Sequence, residues 1–458
     1  MLDIRWIRQD AEAVNAGLKR RSLHLSVDAI VALDNQRLAL LQEEETLRSQ
    51  RNALSKEVGQ RKSKGENADE LMAQTKAIAE RIKILEADKD ALEVQQNALL
   101  LDIPNIPSMQ SPVGADENAN VEVRRWGDEL KNRAPKDALA HWDLGPAMGM
   151  LDFERGVKVA QSRFTLQRGW GAKLSRALIN FMLDTHEGLG YEELRPPYLV
   201  NADAMKGTGQ LPKFEADMFR CQDDALYLIP TAEVPVTNLY ANEVLLESQL
   251  PFCFSAYTPC FRREAGSAGR DTRGFIRQHQ FDKVELVKLT TAEQAEAEHL
   301  KLVADAERIL QLLELPYRAM ELCTGDMGFS AQRCFDLEVW LPGQQAYREI
   351  SSCSHFGDFQ ARRAGLKYRS EATNKLEWCH TINGSGLAIG RTVVAILENY
   401  QLPPDAQGRY RVAVPTVLQP YLKTEILEAT EAVHPFGVVE SDSSLTLLQG
   451  AEKGRVNV

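Results

Sequence analysis

Leucine and isoleucine recur every seven residues through much of the first hundred positions of this chain, and proline is absent from residues 1–103. Leu33, Leu40, Leu47 and Leu54 form one run. Leu71, Ile78, Leu85, Leu92 and Leu99 form a second, with Ile82 four residues after Ile78. A repeat sustained this long keeps one apolar seam against a partner helix. Between the runs lies KSKGENADE, where Gly65 suits a turn. A turn that short makes the partner the same chain. The spacing therefore predicts an antiparallel coiled-coil hairpin over about residues 27–101, with arms on the order of 50 Å long at 1.5 Å rise per residue. Polar residues at intervening core positions, Arg37, Glu44, Arg51 and Lys89, keep the seam narrow.

Charge gathers towards the tip of this arm. Residues 46–64 hold six basic side chains, Arg48, Arg51, Lys56, Arg61, Lys62 and Lys64, against one acid, Glu57. Such a run is either a solvated helix face or a surface for something anionic, and an arm of this shape also serves as a spacer or dimerisation coil. The whole chain is acidic, with 54 Lys+Arg against 65 Asp+Glu and a net charge of −11. That balance argues against nucleic acid as a partner only until it is located. Residues 1–64 carry 12 basic and 9 acidic residues, net +3, so the remainder carries −14.

A length of 458 residues suggests two or three domains. No apolar run approaches the roughly 18 residues of a membrane span, and MLDIRWIRQD lacks the apolar stretch of a secretory signal. Seven cysteines, never spaced CxxC, argue against a disulfide framework or a four-cysteine zinc site. A cytoplasmic enzyme is the expectation. After the helical arm, residues 1–103, a stretch rich in proline and polar residues reads as a linker, 104–135. Mixed strand and helix patterns over 136–425 suggest one α+β domain. The tail, 426–458, contains the end of a helical pattern, KTEILEATEAV, and no readable role.

Three segments carry chemistry. In the first, residues 254–264 and 277–289 read as strands joined by AGSAGRDTRG, a connection too long for a tight turn. Alternation places Arg262 with Glu264, and Arg277 with Phe281 and Glu285. A face of arginines, a ring and carboxylates suits a nucleoside triphosphate, because guanidinium groups bind phosphate oxygens in pairs and a ring stacks on a base. A surface ladder of ion pairs is the plainer reading, and Phe281 fits it poorly. In the second segment, Gly384, Gly386 and Gly390 lead from a strand into an amphipathic helix with Arg391 in its first turns. The third has an apolar-faced helix (Leu174, Ala177, Leu178, Phe181, Met182) and a strand entered at Gly190 that contains Pro196 and Pro197, which implies an edge or an interface.

Taken together these segments resemble the three motifs of the class II aminoacyl-tRNA synthetases: Gly190–Pro197, then Phe261–Glu264 with Arg277–Glu285, then Gly390-Arg391. The triplet Thr231-Ala232-Glu233, the loop FRREAGSAGRDTRG, EISS at Glu349–Ser352, NGSG at Asn383–Gly386 and the N-terminal hairpin narrow the resemblance to the bacterial-type seryl-tRNA synthetases. The resemblance implies an α+β fold: an N-terminal antiparallel coiled-coil hairpin, then a class II domain whose antiparallel β-sheet is flanked by helices. It implies a homodimer formed through the first motif. It also implies ATP-dependent activation of L-serine followed by transfer to the 3′ end of serine tRNA, with selenocysteine tRNA left open. Arg262, Arg277 and Arg391 would be catalytic, and Arg262, Arg263, Glu264, Arg277, Phe281, Glu349, Ile350, Ser351, Ser352 and Arg391 would form the ATP stretch. In it, Phe281 would stack on adenine against Arg391, and Glu349 and Ser352 would hold Mg²⁺. Thr231, Ala232, Glu233, Arg262, Glu285 and Ser385 would bind serine. No zinc is expected, and the arm's basic residues would meet the tRNA. Strand alternation puts Glu349 with Ser351 rather than Ser352, so a bulge or strand end is needed there. Rival readings are a relative that loads a carrier protein, which would lack the arm, and a non-catalytic tRNA-binding paralogue.

Overall fold

The computed structural model of the protein describes residues 1–265 and 274–429. The expectations for the centre of the AGSAGRDTRG loop and for the tail beyond residue 429 lie outside the described residues.

Two short helices open the chain, α1 (Ile4–Gln9) and α2 (Ala11–Arg20), with the carboxylates of Asp3 and Asp10 accepting from the free N–H groups of their first turns. The predicted hairpin comes next, as α3 (Asp28–Ser63) and α4 (Asp69–Asp102). Ile82, Leu85 and Leu100 are buried in the seam, while Leu33, Leu40, Leu47, Leu54, Leu71, Ile78 and Leu92 are half-buried, since two helices cover only one side of each other. Leu99 departs from the pattern and is exposed; at the root of the arm Leu100 turns inward to join Leu2, Ile7, Val14, Leu18 and Phe359. Polar core positions also meet across the hairpin, Arg37 standing 3.6 Å from Glu93. Glu44 accepts from Lys89 at 3.0 Å and Arg48 at 2.7 Å. Asp34, with no exposed side-chain surface, accepts from Arg8 at 2.6 Å, Arg37 at 3.0 Å and Gln96 at 3.3 Å.

The second unit is an eight-stranded sheet. Its strands are β1 (Val121–Trp126), β2 (Glu192–Glu193), β3 (Phe252–Phe261), β4 (Gln280–Thr290), β5 (Tyr317–Glu321), β6 (Arg333–Leu341), β7 (Ala346–His355) and β8 (His380–Ala388). They lie in the order β1-β5-β6-β7-β8-β4-β3-β2, antiparallel throughout except for the β2–β3 pair. Four helices frame this sheet and its cleft: α5 (Trp170–Glu187), α6 (Ala295–Leu312), α7 (Phe359–Ala364) and α8 (Ile389–Asn399). Helices α5, α6 and α8 share the main core with Val284, Leu286, Leu337 and Ile382 of the sheet. Strand β4 shows why its sequence is half polar and half apolar. Its even positions Val284 and Leu286 face that core. Its odd positions pass from Phe281, Lys283 and Glu285 on a cleft to Val287 and Leu289 in a second apolar cluster.

Several expectations change. Residues 121–126, read as part of a linker, form the edge strand of the sheet. Pro196 and Pro197 lie between β2 and a three-residue strand at 199–201 rather than inside one strand, because proline supplies no ladder N–H. The strands of the second motif stop at Phe261 and begin at Gln280, so Arg262, Glu264 and Arg277 stand beyond the ladder. Residues 426–428 form a strand pairing with 411–413, where the sequence pattern suggested helix. Gly384 and Gly386 sit inside β8, not in a turn. A Cβ on Gly384 would stand 2.7 Å from Cys353 Sγ, and one on Gly386 2.6 Å from His186 Nε2, so both serve close packing.

Candidate active site

A cleft of about 740 Å³ opens over the β4–β8–β7 part of the sheet. Arg262 follows β3 directly. Its backbone N–H donates to His279 O at 2.9 Å, its Nε donates to Pro230 O at 3.2 Å, and its guanidinium carbon lies 5.1 Å from the centre of the Phe281 ring. Glu264 takes a left-handed backbone, φ 53°, and its carboxylate meets Arg277 at 2.6 Å. Arg391 reaches across from the first turn of α8, donating to Glu349 O at 2.6 Å and standing 3.3 Å from that residue's carboxylate. The three predicted arginines thus converge on the cleft, each held by a protein neighbour, and Arg262 faces the Phe281 ring. His279 packs between Phe164 and Phe219 and bonds the Arg262 carbonyl, as expected of a structural histidine.

The Glu349–Ser352 problem is resolved by register. Leu337 pairs with Ser351 and Glu338 with Glu349, which leaves Ile350 as an extra residue. This bulge turns Glu349 and Ser352 to the cleft together, while Ser351 points inward and donates to Ser385 O at 2.6 Å. Asp336, paired with Ser352 in the ladder, has its carboxyl raised well above the usual range by burial first and by the Glu349 charge second.

Opposite lies a tight polar group. Thr231 Oγ1 accepts from Lys283 Nζ at 2.8 Å and from the Glu233 N–H at 3.2 Å. Lys283 is ion-paired with Glu285, whose other oxygen accepts from Asn383 Nδ2 at 3.1 Å. Glu233 accepts from Gln360 Nε2 at 2.7 Å, and burial together with the charge of Glu285 raises its pKa to about 7. Ser385 lies beside them on the cleft wall. Ala232 is buried in the second apolar cluster, and Arg263 is turned to solvent; with Ser351 they are the predicted site residues that do not line the cleft. Sequence reasoning missed Lys283, Asn383, Gln360 and Asp336. The first two share parity with Glu285 and Ser385 on their strands, a signal that was present. Gln360 comes from α7 and had none.

Among the described residues no group of three His, Cys, Asp or Glu side chains could hold a metal ion. Cys334, Cys353 and Cys379 are buried, and desolvation raises their thiols, Cys353 and Cys379 to about 12. The fold does bring three scattered histidines together: the His355 ring stands 5.9 Å from that of His299 and 5.4 Å from that of His380, and burial holds His355 near 3 and His299 near 4, both uncharged. On the arm, Arg48 is engaged by Glu44 and Glu86 and Arg61 by Glu57, while Lys56, Lys62 and Lys64 are exposed near the tip.

Comparison with known proteins adds independent findings. The family model for the seryl-tRNA synthetase N-terminal domain matches residues 1–107, and that for the class II tRNA synthetase core domain (G, H, P, S and T) matches residues 214–400. The serine–tRNA ligase of Thermosynechococcus vestitus is 53% identical over 428 residues, 92% of this chain and 98% of that protein. That of Desulfitobacterium hafniense is 53% identical over 427 residues, 93% and 100% of the two chains. Among solved structures, seryl-tRNA synthetase from Pyrococcus horikoshii complexed with ATP superposes with a TM-score of 0.87 at 37% identity, covering 94% of this chain and 100% of that one. The cytoplasmic serine–tRNA ligase of Naegleria fowleri in complex with AMP gives 0.83 at 28% identity, covering 94% and 99%.

Proposed function

The chain belongs to the seryl-tRNA synthetases, ATP-dependent serine–tRNA ligases on a class II core, and from that premise we propose how its cleft divides the substrates. Serine carboxylate attacks the α-phosphate of ATP, pyrophosphate leaves, and a hydroxyl of the tRNA 3′ end then takes the seryl group from the adenylate as AMP departs. The carboxylate is ionised at neutral pH, so the first step requires no activated side chain of the enzyme. Positioning and charge neutralisation carry it.

Arg262 sits between the two substrate ends and binds the α-phosphate and the serine carboxylate. Arg277 and Arg391 hold the outer phosphates, leaving their partners Glu264 and Glu349 to other contacts. Phe281 carries the adenine, and Glu264 accepts from its amino group. Thr231 and Glu233 receive the serine ammonium, with Glu285 and Ser385 at the hydroxyl. A pocket that bonds the hydroxyl rejects alanine strongly, whereas threonine is excluded only by the fit of one methyl, worth about 1–3 kcal/mol. Glu349 and Ser352 offer one carboxylate and one hydroxyl side by side, which suits Mg²⁺, an ion taken up by few protein oxygens together with substrate phosphates. When bound there it would neutralise phosphate charge.

The basic tip of the arm meets tRNA, and two copies of the chain pair through the 168–199 segment, where Leu189 and Leu199 stand exposed. Among the described residues no helix is long and apolar enough to cross a membrane; a cytoplasmic location fits the enzyme's substrates. The observation that carries the reading is the separation of the cleft into an arginine-lined wall and the Thr231–Glu233–Glu285–Ser385 group. ATP–pyrophosphate exchange across a panel of amino acids tests it. Exchange with serine is expected, and exchange with alanine or glycine in its place would sink the assignment.

A further inference from the structure

One wall of the cleft is a turn between β5 and β6: Gly328, Phe329, Ser330 and Ala331 line it. Phe214 and Phe359 pack on its Phe329 ring, and the side chains that bond its backbone carbonyls, Arg21 and Asn105, come from the N-terminal unit. Arg21, the residue after α2, is 5% exposed. Its Nε donates to Asn105 O at 2.6 Å, its Nη1 to Met327 O and Gly328 O at 3.1 Å each, and its Nη2 to Ala331 O. All four acceptors are carbonyl oxygens. Charged side chains are seldom buried without an opposite charge, and here desolvation lowers the Arg21 pKa to about 10. A guanidinium held this way stays buried only while several carbonyls point at it. Three of those carbonyls belong to the turn, in which Met327, Ser330 and Ala331 are buried, and Gly328 O also accepts from the Ala331 N–H at 3.1 Å. Each side therefore holds the other.

Asn105, at the foot of α4, adds a second brace. Its Nδ2 donates to Ser330 O at 3.0 Å and to Phe356 O at 2.7 Å, and its backbone N–H donates to Phe329 O at 3.0 Å. The turn then passes the constraint on. Ser330 Oγ donates to Thr208 O at 3.2 Å, the same carbonyl that accepts from Gln360, and Gln360 holds Glu233. The helix bearing Gln360 is itself tied to the N-terminal unit: the Met1 ammonium donates to Phe359 O, Arg363 donates to Leu101 O at 2.8 Å, and Arg362 pairs with Asp3 at 3.0 Å.

We propose that Arg21 is a positioning residue for serine activation, anchoring the 327–331 turn so that the root of the helical arm sets the serine-side wall of the cleft. The proposal rests on the reading that Thr231 and Glu233 face serine. It places a determinant of amino-acid binding in the domain otherwise given to tRNA.

The full-length enzyme with Arg21→Met, and separately with Asn105→Ala, tests it by pyrophosphate exchange and by hydrogen exchange of the backbone amides. Arg21→Met is expected to raise the serine KM about tenfold, the ATP KM staying within about twofold. Amides of 327–332 should exchange faster. Asn105→Ala should move both readouts in the same direction by a smaller factor. An inactive fraction lowers kcat and leaves KM unchanged, so a merely structural loss does not imitate this result. If Arg21→Met does not fold, the serine KM of Asn105→Ala decides. Glu233→Gln in the same series separates the two claims. A raised serine KM there, beside unchanged values in both other variants, overturns the Arg21 proposal alone. An unchanged serine KM in Glu233→Gln overturns the pocket reading beneath it.

Discussion

Glu233 is a carboxyl whose charge is undecided at neutral pH, because burial and the nearby Glu285 raise its pKa to about 7. Lys283 and Arg262 act in the opposite direction, as does the Gln360 hydrogen bond. Serine binds through its ammonium group to the ionised form, so protonation below about pH 7 removes the partner. The serine KM is expected to rise by about tenfold per pH unit below that value and to level off above about pH 8. Glu233→Gln should raise the serine KM by roughly 30-fold at pH 8, equivalent to about 2 kcal/mol, and should flatten the acid limb. Exchange kinetics between about pH 5.5 and 8.5 check both, and a serine KM independent of pH would refute the role. The same shift has a stability cost of definite sign. Between the unfolded value near 4.5 and about 7, the folded state holds a proton that the unfolded state has lost, so this group's contribution weakens as pH rises through that window. None of this was legible in the triplet Thr231-Ala232-Glu233. The residue types were; the raised pKa comes from burial by distant segments. Strand parity exposed Phe281 and Glu285, and it also placed Lys283 with them, although charge between charges on a strand reads equally well as a surface ladder.

In the arm, the heptads made the hairpin legible, and the arrangement of its polar core positions was not. Asp34 lies in the seam where an aliphatic residue would give more apolar burial. Burial alone would raise its pKa, but hydrogen bonds from Arg37, Arg8 and Gln96 outweigh it and hold the carboxyl below its usual range. A lowered carboxylate stabilises the fold above the unfolded pKa near 4, and that stabilisation is lost as pH falls through the folded value. Asp34→Ala should therefore cost about 1–3 kcal/mol at pH 7, removing the acceptor that Arg8, Arg37 and Gln96 share at the root of the arm. Thermal unfolding of the two proteins should differ at pH 7 and converge as pH falls well below 4. An equal gap at both pH values would show that packing, not the charge, sets the cost. The bulge at Ile350 belongs to the same scale. Alternation alone set Glu349 with Ser351, and one extra residue in β7 changed the partner to Ser352.

At the scale of the whole molecule, the arm and the cleft are separate in contacts but share a root. Ile30 and Leu100 belong to the apolar cluster that also holds Leu2, Leu18 and Phe359, so the arm can be removed cleanly only above them. Replacing residues 32–98 by a short glycine–serine link should leave pyrophosphate exchange within about threefold while abolishing aminoacylation of tRNA, if the basic tip supplies the main tRNA contact. Undiminished charging by that variant would refute the arm's role. The hairpin, the presence of a mixed sheet and the three motif segments were determined by the sequence alone, because a seven-residue period, a two-residue alternation and a glycine or proline at a turn act on neighbouring residues. Tertiary structure alone decided the rest. It made 121–126 a strand by giving it β5 as a partner, drew Gln360 and Asn383 to the carboxylates, and raised the pKa of Glu233 through desolvation. It also buried Arg21 against the carbonyls of a turn some three hundred positions away. Desolvation and non-local hydrogen bonding depend on which segments meet, and no local pattern encodes that meeting.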